Sequence, residues 1–281
     1  MRKDNSPLVS VLMTAYNREK YIDQAIESVL ASTYTNIELI IVDDCSNDNT
    51  KIIAKKYELS DNRVKLYVNE RNLGDYPNRN KAASFAKGMY IKYIDADDYI
   101  YPWGLELLIE MMEEFPAAGW GLCSLEQYVK KPFAFELNPR EAYEYHYFGP
   151  GLFHKAPLSS IIKREIFAQS GGFCSLRMVG DFEMWHRLAQ TYSVVLMPQG
   201  IVWYREHDEQ EIREYDEFIH DYQQIKIKYL KSEKCPLDYV DVSKIITNEK
   251  KQLLKQLVKS VAMFDLKMIK CNKASLKLCN E

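Results

Sequence analysis

Apolar, strand-like runs alternating with helix-periodic segments through the first hundred residues predict an α/β protein, with a mostly parallel mixed sheet covered by helices on both faces. After Asp208 the pattern changes to long polar segments with apolar stripes, which predicts a helical C-terminal extension over residues 209–281. Polar clusters follow the first, second and fourth predicted strands, and ligands of such sheets collect outside the carboxyl ends of strands. Residues 1–208 are therefore read as one catalytic domain, with a ligand-binding half to about residue 98 and a second half over 99–208.

Leu8–Met13 reads as a buried strand, and Asn17 can cap a helix that places Tyr21, Ile22, Ala25, Ile26, Val29 and Leu30 on one face. Ile37–Val42 is rich in β-branched residues and ends at Asp43-Asp44. A helix through Ile52, Ile53 and Tyr57, a strand at Val64–Val68, a helix around Asn80–Ala86 and a strand at Met89–Ile94 continue the alternation. Pro102 opens a helix with Leu105, Leu108, Met112 and Phe115 on one side, and Ala117–Ser124 is a further strand. Gln127–Gly151 has no clean period and reads as a substrate-facing loop region, its aromatics packing over the sheet or stacking on sugar rings.

The composition supports one large domain with an extension: 281 residues, 47% of them hydrophobic. A formal charge of −3 excludes a general nucleic-acid binder, whose basic footprint would dominate. Six cysteines without a CxxC pair suggest neither a zinc knuckle nor a redox motif, and a reduced, cytoplasmic setting is expected. No signal-peptide pattern follows Met1, and no apolar run approaches a membrane span.

Asp95-Ala96-Asp97-Asp98 is the densest charge cluster in the chain. Carboxylates packed this closely repel one another, so a bound cation is expected to neutralise them. The plainer alternative is acidic capping of the helix at Pro102.

With these elements placed, the run VSVLMTAYNREKYIDQAIESVLASTYTNIELIIVDDCSND resembles the amino-terminal half of family 2 glycosyltransferases, which share the GT-A nucleotide-diphospho-sugar transferase fold. Arg79-Asn80, KGMYIKYIDADD, SGGF at Ser170–Phe173, GDFEMWHRL at Gly180–Leu188 and YREH at Tyr204–His207 follow in the family's order, so the resemblance spans about residues 8–208. It implies a nucleotide-sugar site at Thr14, Tyr16, Asp44, Arg79 and Asp95. Asp97 and His207 would hold Mn²⁺ or Mg²⁺, and Asp181 would be the general base of an inverting transfer, with Arg187 the arginine that follows it. Many relatives carry Glu-Asp where this chain has Gly180-Asp181, and Glu183 stands as an alternative base. The implied donor is UDP- or dTDP-linked, and the implied acceptor is a glycan or lipid-linked hydroxyl in surface polysaccharide assembly. Two other readings are a non-catalytic nucleotide- or glycan-binding module on this fold and a sugar nucleotidyltransferase. The latter would need a glycine-rich phosphate loop that Thr14–Arg18 lacks.

Trp185 and Trp203 lie within apolar patterns and are expected in the core, whereas Trp103 is a candidate acceptor contact. His154, near the acceptor half, is a weaker candidate. Between Lys244 and Glu281 nine lysines face three acidic residues, beside a stripe of Leu253, Leu254, Leu257, Val258 and Val261. Such helices can lie on anionic membranes; they can equally pack on the catalytic domain or form a homo-oligomer interface.

Overall fold

The computed structural model describes residues 6–128, 130–207 and 218–280. At its centre β1 (Val9–Ala15) runs parallel to β2 (Ile37–Asp43) on one side and β4 (Tyr90–Tyr93) on the other, with β3 (Val64–Val68) beyond β2. Every residue of β1 except Thr14 is buried, as expected of a strand covered on both faces. α1 (Ile22–Leu30) buries Ile22, Ala25, Ile26 and Val29, its predicted apolar face, and α2 (Thr50–Ser60) follows β2. α3 (Asp75–Ser84) begins earlier than the sequence suggested. Gly74, at φ 86°, turns the chain into it, and Pro77 falls in the first turn, where its missing N–H removes no helical hydrogen bond.

The second half supplies β5 (Tyr99–Ile100), α4 (Gly104–Glu114), β6 (Trp120–Leu125), β7 (Phe135–Leu137), α5 (Pro139–Phe148), β8 (Ser160–Lys163), α6 (Arg164–Gln169), α7 (Gly180–Ala189), β9 (Val194–Pro198) and β10 (Val202–Trp203). The eight-stranded sheet has the order β3-β2-β1-β4-β8-β6-β9-β7. β8 is antiparallel to both β4 and β6, β9 is parallel to β6, and β7 is antiparallel to β9. β5 and β10 form a separate antiparallel pair. The sheet is thus mixed, with four adjacent parallel strands from the amino-terminal half and a second parallel pair, β6 and β9, in the other half.

The expected loop region at Gln127–Gly151 contains β7 and α5 instead. Asn138 caps α5 in a capping box with Glu141, and Pro139 occupies the first turn. Phe135 and Tyr143 are buried in the main core, so aromatics of this stretch pack over the sheet. Trp120 stacks on Trp185 with ring centroids 5.2 Å apart, joining the sheet to α7.

Beyond the sheet lie α8 (Ile219–Leu230), α9 (Tyr239–Ala262) and α10 (Leu266–Asn280), with α10 folding back along α9. Ile225, Tyr229, Leu230, Leu237 and Ile245 belong to the core cluster that contains Trp185. α8 and the start of α9 are therefore continuous with the main core. The expected boundary at 208/209 falls outside the described residues. No described helix is long and apolar enough to cross a membrane.

Candidate active site

The Asp95–Asp98 turn closes immediately after β4, with Asp98 N donating to Asp95 O at 3.0 Å. Each carboxylate meets its own partner. Asp95 is gripped by Arg79 through Nη1–Oδ1 at 2.7 Å and Nη2–Oδ2 at 3.0 Å. Asp97 Oδ2 accepts from Arg18 Nε at 2.8 Å and lies 3.0 Å from His207 Nε2. Asp98 Oδ1 accepts the backbone N–H of Arg205 at 3.0 Å. The protein's own cations and N–H groups thus compensate the cluster, so its density alone does not require a metal. Burial, reinforced by Asp95 and then Asp97, pushes Asp98 up to about 8 against the opposing pull of the Arg205 N–H and Arg79.

His207 is fixed from two sides, by Asp97 and by stacking on Tyr21 at 4.9 Å between ring centroids. Arg205 fastens the same segment, donating from Nε to Asp97 O at 2.8 Å and from Nη2 to Gln24 Oε1 at 2.8 Å. The donor set can be tested against a divalent cation. Asp97 and His207 bring one carboxylate oxygen and one imidazole nitrogen together, donor types that suit Mn²⁺. No group of three or more His, Cys, Asp or Glu side chains that could hold a metal occurs among the described residues. A cation at this pair would therefore draw its other ligands from substrate oxygens and water, and Arg18 would have to release Asp97 Oδ2.

At the neighbouring strand ends, Tyr16 is 41% exposed and leaves its ring accessible. Thr14 Oγ1 lies 3.5 Å from Asp95 Oδ1, at the limit of a hydrogen bond. Asp44 is buried; its carboxylate accepts from Asn69 Nδ2 at 2.6 Å, Leu73 N at 2.9 and 3.0 Å, and Gly74 N at 2.9 Å. It thereby shapes the turn that starts α3, which in turn aims Arg79.

The Arg-Asn pair divides its work. Buried Arg79 joins Asp95 to Asp75, whose Oδ1 accepts from Nε at 2.7 Å. Asn80 points the other way: its Nδ2 donates to Phe173 O at 2.8 Å, and its Oδ1 accepts from Phe173 N at 2.9 Å. This contact locks the Gly171-Gly172 turn, and a Cβ on Gly172 would lie 2.5 Å from Asn80 Oδ1.

Asp181 sits half-buried in the first turn of α7, where its Oδ1 accepts the Phe182 N–H at 2.6 Å. Burial is the main force raising it to about 7, and Asp75 adds to it; the Phe182 N–H, Tyr76 and Arg79 oppose. Glu183, the alternative base, is committed elsewhere. Arg187 grips it from Nε at 3.0 Å and Nη2 at 2.9 Å, and the Tyr229 hydroxyl donates to it. Arg187 also donates to the carbonyls of Ser170 and Gly172, so this arm of the network holds the glycine turn. Gly180 is required by space, since a Cβ there would meet the Tyr76 ring at 2.7 Å. The Glu that the resemblance leads one to expect at position 180 has no room.

Trp185 is buried as expected, but Trp203 is 45% exposed and lies under the Arg205 guanidinium, 4.9 Å from its ring centroid. Its two-residue strand lies outside the main sheet, which is why its apolar neighbours did not bury it. Trp103 is exposed, stacks on Tyr101 at 5.2 Å and donates from Nε1 to Gly200 O at 3.2 Å. A cavity of about 650 Å³ is lined by Tyr99, Tyr101, Trp203, Gln24 and Arg205, and the aspartates do not line it. His154 stacks on Phe182, beside buried His146 and His186. Burial lowers His154 to about 4 and His186 to about 3, which keeps both neutral. The sequence reading missed Asp75 and Arg18. Asp75 was findable as an i,i+4 partner of Arg79, whereas Arg18 becomes visible only when the β1 and β4 ends meet.

This mixed α/β sheet, with an aspartate turn at a central strand end and a carboxylate at a facing helix start, defines a GT-A-type glycosyltransferase. The family model described as "Glycosyl transferase family 2" matches residues 10–171, and the chain belongs to that family. It is 37% identical over 135 residues to the putative teichuronic acid biosynthesis glycosyltransferase TuaG of Bacillus subtilis, covering 45% of this chain and 54% of TuaG. It is 45% identical over 105 residues to the UDP-Glc:alpha-D-GlcNAc-diphosphoundecaprenol beta-1,3-glucosyltransferase WfgD of Escherichia coli, covering 37% of this chain and 41% of WfgD. These matches span about half or less of the curated relatives' lengths. In fold the chain is similar to S. aureus TarS 1-349 in complex with UDP-GlcNAc, with TM-score 0.67 and 19% identity over 84% of this chain and 70% of TarS 1-349. It is also similar to the mannosyltransferase PcManGT from Pyrobaculum calidifontis in complex with GDP-Man and Mn²⁺, with TM-score 0.62 and 14% identity over 99% of this chain and 87% of that one.

Proposed function

We propose that this chain transfers a sugar, with inversion, from a UDP- or dTDP-linked donor to a hydroxyl of a glycan or lipid-linked acceptor during assembly of a cell-surface polysaccharide. The observation that carries this reading is the separation of two carboxylate stations by one relay. Asp97 with His207 lies at one end, and Asp75, Arg79 and Asp95 connect that turn to the neighbourhood of Asp181. The relatives TuaG and WfgD support the polysaccharide setting.

In this reading Tyr16 stacks on the base, and Thr14 and Asp95 face the ribose side of the donor. Asp44 contributes by holding the turn that aims Arg79. Asp97 and His207 would hold Mn²⁺ or Mg²⁺, which would supply charge neutralisation for the donor's diphosphate. Asp181 accepts the proton of the acceptor hydroxyl as the new C–O bond forms, and the electron pair of the breaking bond leaves with the nucleoside diphosphate. An Asp181 carboxylate raised to about 7 is a stronger base than an ordinary aspartate, yet still half ionised near neutrality. The Arg187 grip on the glycine turn keeps α7 in register with that turn.

The test is transfer from a panel of UDP- and dTDP-sugars, with Mn²⁺, to diphosphate-linked lipid and oligosaccharide acceptors, reading the anomeric configuration of the product by NMR. Product of inverted configuration supports the proposal, and retained configuration rejects it. Saturable donor binding with no transfer or hydrolysis across the panel would instead identify a non-catalytic binding module.

A further inference from the structure

The far end of the α9–α10 hairpin carries a surface that catalysis leaves unused. α9 is apolar on two sides. One side turns inward, where Ile245 and Leu253 are buried, Ile245 against the main core and Leu253 beside Ile227 of α8. On the other, Leu254, Val258 and Val261 recur at i, i+4 and i+7, all exposed. At about 100° per residue these three share a stripe about 60° wide. Lys251, Lys255 and Lys259, also exposed, occupy the adjoining arc.

The stripe runs into a turn of unusual composition. Asp265 N donates to Ser260 O at 2.9 Å, and Phe264 N donates to Val261 O at 3.1 Å. That is the paired pattern of a Schellman ending, which places Phe264 at the left-handed position, with φ 56°. Glycine is the usual occupant because a Cβ is disfavoured there. Here the position holds a phenylalanine that is 88% exposed, flanked by exposed Met263 and Leu266. Asp265 then caps α10, accepting from Met268 N at 3.0 Å, so the turn displays its aromatic ring from a hydrogen-bonded frame.

A contiguous exposed apolar patch beside one sign of charge calls for a partner. Glu249, one of the few acids in the tail, is taken up by Lys226 at 2.9 Å, which leaves the lysine arc uncompensated by it. A second copy of this chain would bring like charges together. Exposed apolar side chains beside exposed lysines suit a negatively charged lipid surface. We propose that the α9–α10 tip docks onto an anionic lipid bilayer. Phe264, Met263 and Leu266 enter the headgroup–acyl boundary, while Lys251, Lys255 and Lys259 lie over the headgroups. This goes beyond the transfer reaction and does not rest on it.

Phe264→Gly makes a clean probe, since glycine suits the turn and the variant should fold at least as well as the parent. The full chain is expected to co-sediment with phosphatidylglycerol vesicles and not with phosphatidylcholine vesicles, with binding weakened by salt. Phe264→Gly should lower vesicle binding by about tenfold or more while retaining its circular dichroism and melting temperature. Lys255→Glu with Lys259→Glu should lower it similarly. The proposal is overturned if the parent ignores phosphatidylglycerol vesicles or if Phe264→Gly binds them undiminished. Self-association abolished by Phe264→Gly, without vesicle binding, would assign the tip to a second copy and equally overturn it.

Discussion

Arg79 holds Asp95 in a two-pronged ion pair, 2.7 and 3.0 Å, and this fixes the first carboxylate of the aspartate turn before any substrate arrives. A planar guanidinium makes both contacts and still reaches Asp75 through Nε; an ammonium cannot. Arg79→Lys is therefore expected to weaken donor binding by about tenfold or more, consistent with one to two charge-assisted hydrogen bonds. Isothermal titration with UDP would show it, and unchanged affinity would place Arg79 outside the donor site.

Asp181→Asn keeps the acceptor for the Phe182 N–H but removes the base. Turnover should fall by about 10²- to 10⁴-fold with little change in donor affinity. The same substitution should raise the melting temperature at pH 8. A carboxyl whose folded pKa is raised to about 7 binds its proton more tightly in the native state, so its ionisation destabilises the fold as pH climbs from the ordinary aspartate range through 7. An equal or lower melting temperature for the variant at pH 8 would contradict the raised value.

The rate should follow the deprotonated form of Asp181 and drop as pH falls through about 7. The groups acting on this carboxyl are Asp75, Tyr76 and Arg79 from α3 and the Phe182 N–H from α7. Asp75 raises it, so Asp75→Asn should move the acidic limb of the kcat profile to lower pH. A limb that stays in place in this variant would uncouple the two residues.

Glu183 joins α7 to the tail through Tyr229. Burial raises this carboxyl, and the Arg187 and Tyr229 hydrogen bonds overcome that to hold it below its ordinary value. Its contribution is present above the ordinary glutamate range and lost as pH falls through the lowered native value. Tyr229→Phe removes one hydrogen bond to a buried charge and should cost about 1.5–3 kcal/mol by urea denaturation at pH 7.

Chelation by EDTA is expected to abolish transfer, and Mn²⁺ to restore it. Asp97→Asn and His207→Ala should each raise the Mn²⁺ concentration needed for half-maximal rate. Full activity in EDTA would overturn the metal reading of Asp97 and His207.

The parallel part of the fold was legible because β1, β2 and β4 are rich in apolar and β-favouring residues, and their ends carried the motif residues. The second half was harder. β5 and β10 are two residues each, too short for any period, and β8 is buried between β4 and β6 with no turn signal of its own. The Asn138–Glu141 capping box was readable, yet the surrounding aromatics masked the helix it starts. Asp97, His207 and Asp181 were singled out through their motifs. The partners that occupy Asp95, Asp97 and Glu183 were not, because the Arg79 and Arg18 guanidinium groups and the Tyr229 hydroxyl reach them across sequence gaps of 16, 79 and 46 residues.

The Tyr229 contact also sets where this protein can be spliced. A chimera joined ahead of Phe218 would strip α7 of the hydroxyl that steadies Glu183, and with it part of the frame behind Asp181. A joint in the Ser232–Cys235 turn, where Cys235 N donates to Ser232 O at 2.9 Å, keeps that hydroxyl with its owner. The portable attachment is thus the α9–α10 hairpin alone, and α8 travels with the enzyme.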